Sequence, residues 1–265
     1  MLDTGLAGCS ALLTGGASGI GQSIAVALGS EGVHVRILDR CPAERTIALV
    51  RETGGDASAS AVDLRNEAQV EAAIASAVRD LGQLDLFVNV AAVFATEPVT
   101  GITRARWDEA LETNVTACAI VARGVARQMI EQGSGSILIV GSTVTCAPSY
   151  EGAAYRASKA ALKSLMETLA IELAPFKIRV NMLTPGPFPT GLVADLPADQ
   201  RAAAAREVPL GAREGDLAEV QAGACFLLSD RLASFITGAE LFVDGGLHLR
   251  PLYIGPPDIV RELNA

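Results

Sequence analysis

Short runs of β-branched residues and leucine alternate along the chain with longer stretches whose apolar positions recur every three or four residues. The runs SALLT (10–14), VHVRILD (33–39), ASAVDL (59–64), LDLFVNV (84–90), SILIVGS (136–142), IRVNMLT (178–184) and AELFVDG (239–245) read as strands. The periodic stretches predict helices near 20–31, 43–52, 67–81, 104–131 and 217–228, with another around Tyr155. Such alternation implies βαβ units with right-handed crossovers. The expected fold is α/β: a doubly wound, mostly parallel sheet of about seven strands with helices on both faces.

No internal repeat or linker interrupts the rhythm, so residues 1–265 are expected to form one domain. Only 187–215 departs from it, with several prolines around a short alanine-rich helix candidate. A long irregular excursion in a compact domain usually serves function, and a substrate lid is expected there.

Composition narrows the class. Half of the residues (50%) are hydrophobic and 19% are charged, which describes a globular chain with little disorder. No segment approaches the 18 or so uninterrupted apolar residues of a membrane span, and the start MLDTGLAGCS lacks the pattern of a signal peptide. A net charge of -9 argues against nucleic acid, which demands a basic face. His34 and His248 stand far apart without a ligand cluster, so no metal site is expected. The cysteines (Cys9, Cys41, Cys118, Cys146 and Cys225) are odd in number and contain no C-x-x-C pair. They read as reduced thiols, and the expected location is the cytoplasm.

Three stretches carry candidate chemistry. TGGASGIG follows the first strand and opens the first helix, with Gly15, Gly19 and Gly21 at its turns. Glycines there let the backbone approach a pyrophosphate, whose charge meets the helix N-terminus. Asp39 closes the second strand, where a carboxylate accepts hydrogen bonds from adenosine ribose hydroxyls and opposes the extra phosphate of NADP. A strand-end Asp can also simply begin a turn, and Arg40 beside it is able to hold a phosphate. In AAYRASKAAL, Tyr155 and Lys159 stand one helical turn apart on the same face. Alone, that pair also suits an ordinary helix surface.

Together these stretches resemble the short-chain dehydrogenase/reductase family. TGGASGIG is similar to its cofactor loop, and YRASK to its Tyr-x-x-x-Lys signature. Ser142, 13 residues before Tyr155, stands where the family has its catalytic serine, and Asn114 in ETNVTA where it has its asparagine. VNMLTPGPFPT resembles the segment that meets the nicotinamide, and ITGAELFVDGG the last strand. The resemblance implies a Rossmann-type domain that binds its cofactor through Gly15, Ser18, Gly19, Ile20, Gly21, Asp39, Asp63, Leu64, Asn89, Tyr155, Lys159, Pro185, Gly186, Phe188 and Thr190. One departure is NVAA, residues 89–92, where the family usually has Asn-Asn-Ala-Gly. Val90 supplies no side-chain amide, and Ala92 adds a methyl beside the cofactor.

The tyrosine and lysine then acquire a chemical meaning. Oxidising an alcohol requires a base for the hydroxyl proton, and a free tyrosine with a pKa of about 10 is mostly protonated at neutral pH. A nearby ammonium at the effective dielectric of a protein site is worth about 4 kcal/mol, roughly the shift needed. Lys159 is therefore expected to lower the Tyr155 pKa and to bind the nicotinamide ribose. The resemblance implies that Ser142 orients the substrate oxygen and that Asn114 holds a water in a proton path.

The expected function is NAD(H)-dependent interconversion of a secondary alcohol and a ketone, with Tyr155 as acid and base. An NADP-dependent 3-oxoacyl thioester reductase and a cofactor-binding regulatory protein without catalysis are the alternatives. Phe94, Val144, Cys146, Tyr150, Phe188 and Leu192 fall where the family lines its substrate pocket, or else they are ordinary packing. After residue 246 the tail runs on with Leu247, Leu249, Leu252, Tyr253 and Ile254, too apolar for a solvated end. The resemblance implies a homotetramer, and the tail (247–265) is expected to cross an interface and help wall a substrate pocket, its own or a neighbour's.

Overall fold

The computed structural model describes residues 3–94, 96–148, 150–190 and 198–249. Seven strands form one sheet: β1 (Ser10–Thr14), β2 (His34–Asp39), β3 (Asp56–Ala61), β4 (Leu86–Asn89), β5 (Gly135–Val140), β6 (Ile178–Pro185) and β7 (Glu240–Val243). Their order is β3-β2-β1-β4-β5-β6-β7, and every neighbouring pair is parallel. β1, β4, β5 and β6 are buried at every position, because helices cover both faces and leave no solvated side to the strand.

The helices are α1 (Gly19–Ser30), α2 (Glu44–Glu52), α3 (Glu67–Leu81), α4 (Arg104–Leu111), α5 (Ala117–Gln132), α6 (Ala153–Leu173), α7 (Ala198–Arg206), α8 (Leu217–Leu228) and α9 (Asp230–Ala233). One apolar cluster joins Val70, Val125 and Leu162 of α3, α5 and α6 to the sheet. The other joins Ile24, Val50 and Leu227 of α1, α2 and α8 to its opposite face. The strand order reverses beside β1, so the crevice beyond the carboxyl ends of β1 and β4 is the natural ligand site of this topology.

Two elements differ from the sequence expectation. The third strand runs over 56–61 rather than 59–64: as the sheet's edge it has only β2 to pair with, and Ala61 already faces β2's last residue, Asp39. Val62 still donates its N–H to the Asp39 carbonyl at 2.9 Å, and Asp63 and Leu64 lie beyond the ladder. The long helix expected over 104–131 is interrupted at Glu112–Thr116 by a π-helical turn. Such turns insert one residue into the hydrogen-bond ladder and often mark functional positions.

Candidate active site

β1 ends at Thr14, and the next residue, Gly15, has φ 74°, a left-handed conformation that suits glycine. A Cβ on Gly15 would lie 2.6 Å from the Ala91 backbone, and one on Gly21 would lie 2.0 Å from the Gly15 carbonyl oxygen. The turn therefore closes so tightly that only glycine fits. Ser18, the N-cap of α1, makes no side-chain capping bond. The free N–H groups of the first turn remain available to an anion.

Asp39 orients this end of the crevice. Its Oδ2 accepts from the Ala17 N–H at 3.0 Å and its Oδ1 from the Cys41 N–H at 2.9 Å. Each carboxylate oxygen keeps a lone pair for a further donor. Nearby, Arg65 holds Asp63 through both carboxylate oxygens, at 3.0 and 2.7 Å, and draws its pKa down to about 2. These residues, with the glycine turn beside them, are chemically suited to the adenosine half of a dinucleotide.

The tyrosine and lysine of α6 sit deeper. Tyr155 is buried in the first turns of α6, with the Phe94 ring edge-on at 4.9 Å between centroids. Lys159, one turn on, is also buried, 5.7 Å from the Tyr155 ring centre, and its Nζ donates to the Val140 carbonyl at 2.9 Å. Loss of solvent drives both groups toward their neutral forms. Burial pushes the Tyr155 hydroxyl up to about 12, against the opposite pull of a Ser142 hydrogen bond, and lowers Lys159 to about 8. The expected lowering of Tyr155 by Lys159 is thus reversed in the protein chain by itself. The ammonium is committed to a backbone carbonyl, and desolvation outweighs what Ser142 supplies.

Asn114 stands in the π turn and is fully buried. Its Oδ1 accepts from the Val93 N–H at 2.7 Å, while its Nδ2 donates to the Val93 carbonyl at 3.0 Å and to the Ser158 hydroxyl at 2.9 Å. The side-chain amide is a latch between the segment after β4 and the helix of Tyr155. The water-holding role expected of Asn114 is not carried by these side-chain contacts.

A cavity of about 990 Å³ joins these parts. The glycine turn, Asp39, Asp63, Leu64, Ser142, Tyr155, Lys159, Pro185, Gly186, Phe188 and Thr190 all line it, as do Phe94, Val144 and Tyr150. Asn89 does not: its Oδ1 accepts from Thr14 Oγ1 at 3.0 Å, bracing β1 against β4. Cys146 is exposed and lies off the lining, and Leu192 falls outside the described residues. The excursion after β6 leaves and returns at one point, where the Gly215 N–H donates to the Pro187 carbonyl at 2.9 Å. Between them, α7 supplies Gln200 and Ala204 to the cavity wall.

Sequence reasoning missed Arg65, Glu151, Gln200 and Ser158. Only the last had a local signal, a serine on the same helix between Tyr155 and Lys159. Among the described residues there is no cluster of His, Cys, Asp and Glu able to hold a metal, and no helix long and apolar enough to cross a membrane.

A family model described as enoyl-(acyl carrier protein) reductase matches residues 15–248. The chain is 34% identical over 248 residues to the 2,5-dichloro-2,5-cyclohexadiene-1,4-diol dehydrogenase of Sphingobium indicum, covering 91% of this chain and 96% of that one. Among solved structures, NAD+-bound xylitol dehydrogenase matches with a TM-score of 0.84 at 33% identity, over 91% of this chain and 99% of the other. A protein from Agrobacterium tumefaciens assigned as a 2-deoxy-D-gluconate 3-dehydrogenase, with bound NADP, matches with a TM-score of 0.85 at 27% identity, over 94% and 100%. Likeness that extends over nearly the whole of each chain leaves one conclusion: this chain belongs to the short-chain dehydrogenase/reductase family.

Proposed function

We propose that this protein is an NAD(H)-dependent oxidoreductase that interconverts a secondary alcohol and a ketone, with Tyr155 as the acid and base. The observation that carries the reading is the burial of Tyr155 beside Ser142 and Lys159 on the wall of a cavity whose other end is the glycine turn. When bound, the nicotinamide cofactor supplies or accepts the hydride. The chain's own part is to move the proton. With its pKa near 12, Tyr155 carries its proton at neutral pH and is ready to donate it to a ketone oxygen that Ser142 orients. In the other direction the same hydroxyl must lose that proton, and release of Lys159 from the Val140 carbonyl toward the tyrosine favours the loss.

The preference for NAD rests on Asp39, whose carboxylate faces the adenosine end and opposes a phosphate there. Arg40 lines the same end, so dual use of NADP is the competing reading. The excursion bearing α7 acts as a substrate lid in this account. Free cysteines throughout support a reducing, cytoplasmic location. The exposed apolar side chains Ile171, Phe176 and Phe235 support assembly, with the homotetramer as the proposed state. A screen of uncharged and charged alcohols and ketones, followed by NADH absorbance with each cofactor, tests the activity. Absence of turnover throughout would favour the regulatory alternative.

A further inference from the structure

β7 ends at Val243, and the chain turns through Gly245 and Gly246, both left-handed at φ 60° and 86°. Consecutive glycines give such a turn little rigidity of its own. The buried Asp244 carboxylate supplies it. Its Oδ1 accepts from the Gly246 N–H at 2.9 Å, and its Oδ2 accepts from the His248 N–H at 2.7 Å and lies 2.8 Å from His248 Nδ1. A carboxylate only accepts, so Nδ1 carries the hydrogen. The imidazole is held by its face as well, stacked on the Phe242 ring with centroids 3.9 Å apart and planes at 13°.

Between these fixed points stands Leu247, buried and on the cavity wall. β7 lies five strands from β2, about 24 Å at ordinary strand spacing, so Leu247 borders the end of the cavity remote from Asp39. Gly186, on the same wall, packs so close that a Cβ there would lie 2.8 Å from the Asp244 Cα. The Leu210 N–H donates to the Gly245 carbonyl at 3.0 Å, so the turn also receives the returning end of the excursion that carries α7. Apolar burial has no direction, and the packing of Leu247 does not by itself fix where its side chain stands. The hydrogen bond and the stack one residue further on do.

We infer that His248 is a positioning residue: clamped by Asp244 and Phe242, it holds Leu247 in the wall of the substrate end. The fit of a substrate there then depends on a side chain that does not itself line the cavity. The inference rests on the proposed alcohol–ketone activity and adds to it a determinant of substrate fit. A pair that merely stabilised the end of the fold would have no such selective effect, and the test separates the two.

The test uses the full chain with His248→Ala, His248→Asn, Leu247→Ala and the double variant Leu247→Ala with His248→Ala. Hydrogen exchange over residues 244–249 reads the turn without any ligand. It should quicken about tenfold in His248→Ala and stay within about threefold of the parent in His248→Asn, whose amide still donates to Asp244. NADH fluorescence reads binding of cyclohexanone and of 2-heptanone to the NADH-saturated protein. For the ketone the parent binds more tightly, the dissociation constant should rise about three- to tenfold in each single Ala variant, with NADH affinity within about twofold. The double variant should fall within about twofold of the weaker single one, because a side chain already removed has no position to lose. Losses that multiply, unchanged exchange in His248→Ala, or an equal loss of NADH affinity would overturn the inference, as would failure of the parent to bind either ketone. A lower mass of His248→Ala by light scattering would overturn it by assigning the pair to assembly. Ketone binding that follows the expected pattern without oxidation of cyclohexanol or 2-heptanol by NAD+ or NADP+ would refute the proposed activity while supporting the positioning role.

Discussion

Lys159 and Val140 are joined across the sheet, the lysine Nζ donating to the carbonyl of the last residue of β5 at 2.9 Å in a site from which solvent is almost excluded. The bond satisfies one of three ammonium protons and leaves the charge itself poorly compensated. A lysine held in this way is a stability cost, which the proposed reading explains as one carried for function.

That cost gives a pH signature. The Lys159 pKa is about 8 in the fold against 10.5 in the open chain, so unfolding takes up a proton between those values. The lysine's contribution to stability is therefore present above about pH 10.5 and lost as pH falls through about 8. Tyr155 acts oppositely: raised to about 12 from 10.0, it contributes below pH 10.0 and loses that contribution as pH rises toward 12. Lys159→Met, which keeps the length without the charge, should relieve a penalty on the order of 3 kcal/mol at pH 7, partly offset by the lost hydrogen bond. Urea midpoints at pH 7 should then match or exceed the parent's, and the parent's rise in stability between pH 8 and 10.5 should vanish in the variant. A clearly less stable variant at pH 7 would contradict the burial argument.

The Asn114 latch predicts coupled losses. Asn114→Ala strands the Val93 backbone groups and leaves the Ser158 hydroxyl only its bond to the Tyr155 carbonyl, for a cost of about 1–3 kcal/mol. Because Val93 precedes Phe94, whose ring packs on Tyr155, turnover should fall further than NADH affinity. Chemical denaturation with steady-state kinetics and NADH titration reads all three quantities. An NADH affinity that drops more than kcat/KM would place Asn114 in cofactor binding instead.

Glycine substitutions should separate by position. A Cβ at Gly21 meets the Gly15 carbonyl oxygen at 2.0 Å, a backbone atom that cannot swing away. At Gly101 the nearest atom is the Pro98 Cγ at 3.4 Å, an ordinary contact. Gly21→Ala should weaken NADH binding by about tenfold or more, while Gly101→Ala should leave it close to the parent's. Similar affinities in the two variants would refute the proposed cradle.

In the proposed reading, the preference for NAD rests on the Asp39 carboxylate. Asp39→Ala should narrow or reverse the preference for NADH over NADPH by removing the charge that opposes a phosphate. Rates at equal low concentrations of each cofactor measure it. A parent that already favours NADPH would assign control to Arg40.

Much of this site was legible in the sequence because its parts are short and local. The glycine turn, the Tyr155–Lys159 spacing and Ser142 each lie at a strand end or on one helix, where pattern fixes position. β3 was misplaced because DASASA has small residues and no strong apolar alternation, so its limits are set by where β2 ends. Asn89 was assigned to the cofactor because a strand's last residue gives no hint which way its side chain turns, and here Thr14 takes it. Glu151 and Gln200 escaped notice because the contacts that bring them to the cavity are long-range. The apolar tail beyond Leu249 lies outside the described residues, so its expected packing keeps only its sequence argument.

The central claim is that Tyr155 moves the proton and does little to hold the cofactor. Tyr155→Phe removes one hydroxyl from a buried ring and leaves the Phe94 contact in place. Measured together, kcat with any substrate the parent turns over should fall roughly 10²- to 10⁴-fold while the NADH dissociation constant stays within about twofold. Retention of kcat within about tenfold would contradict the assignment of Tyr155 as the acid and base.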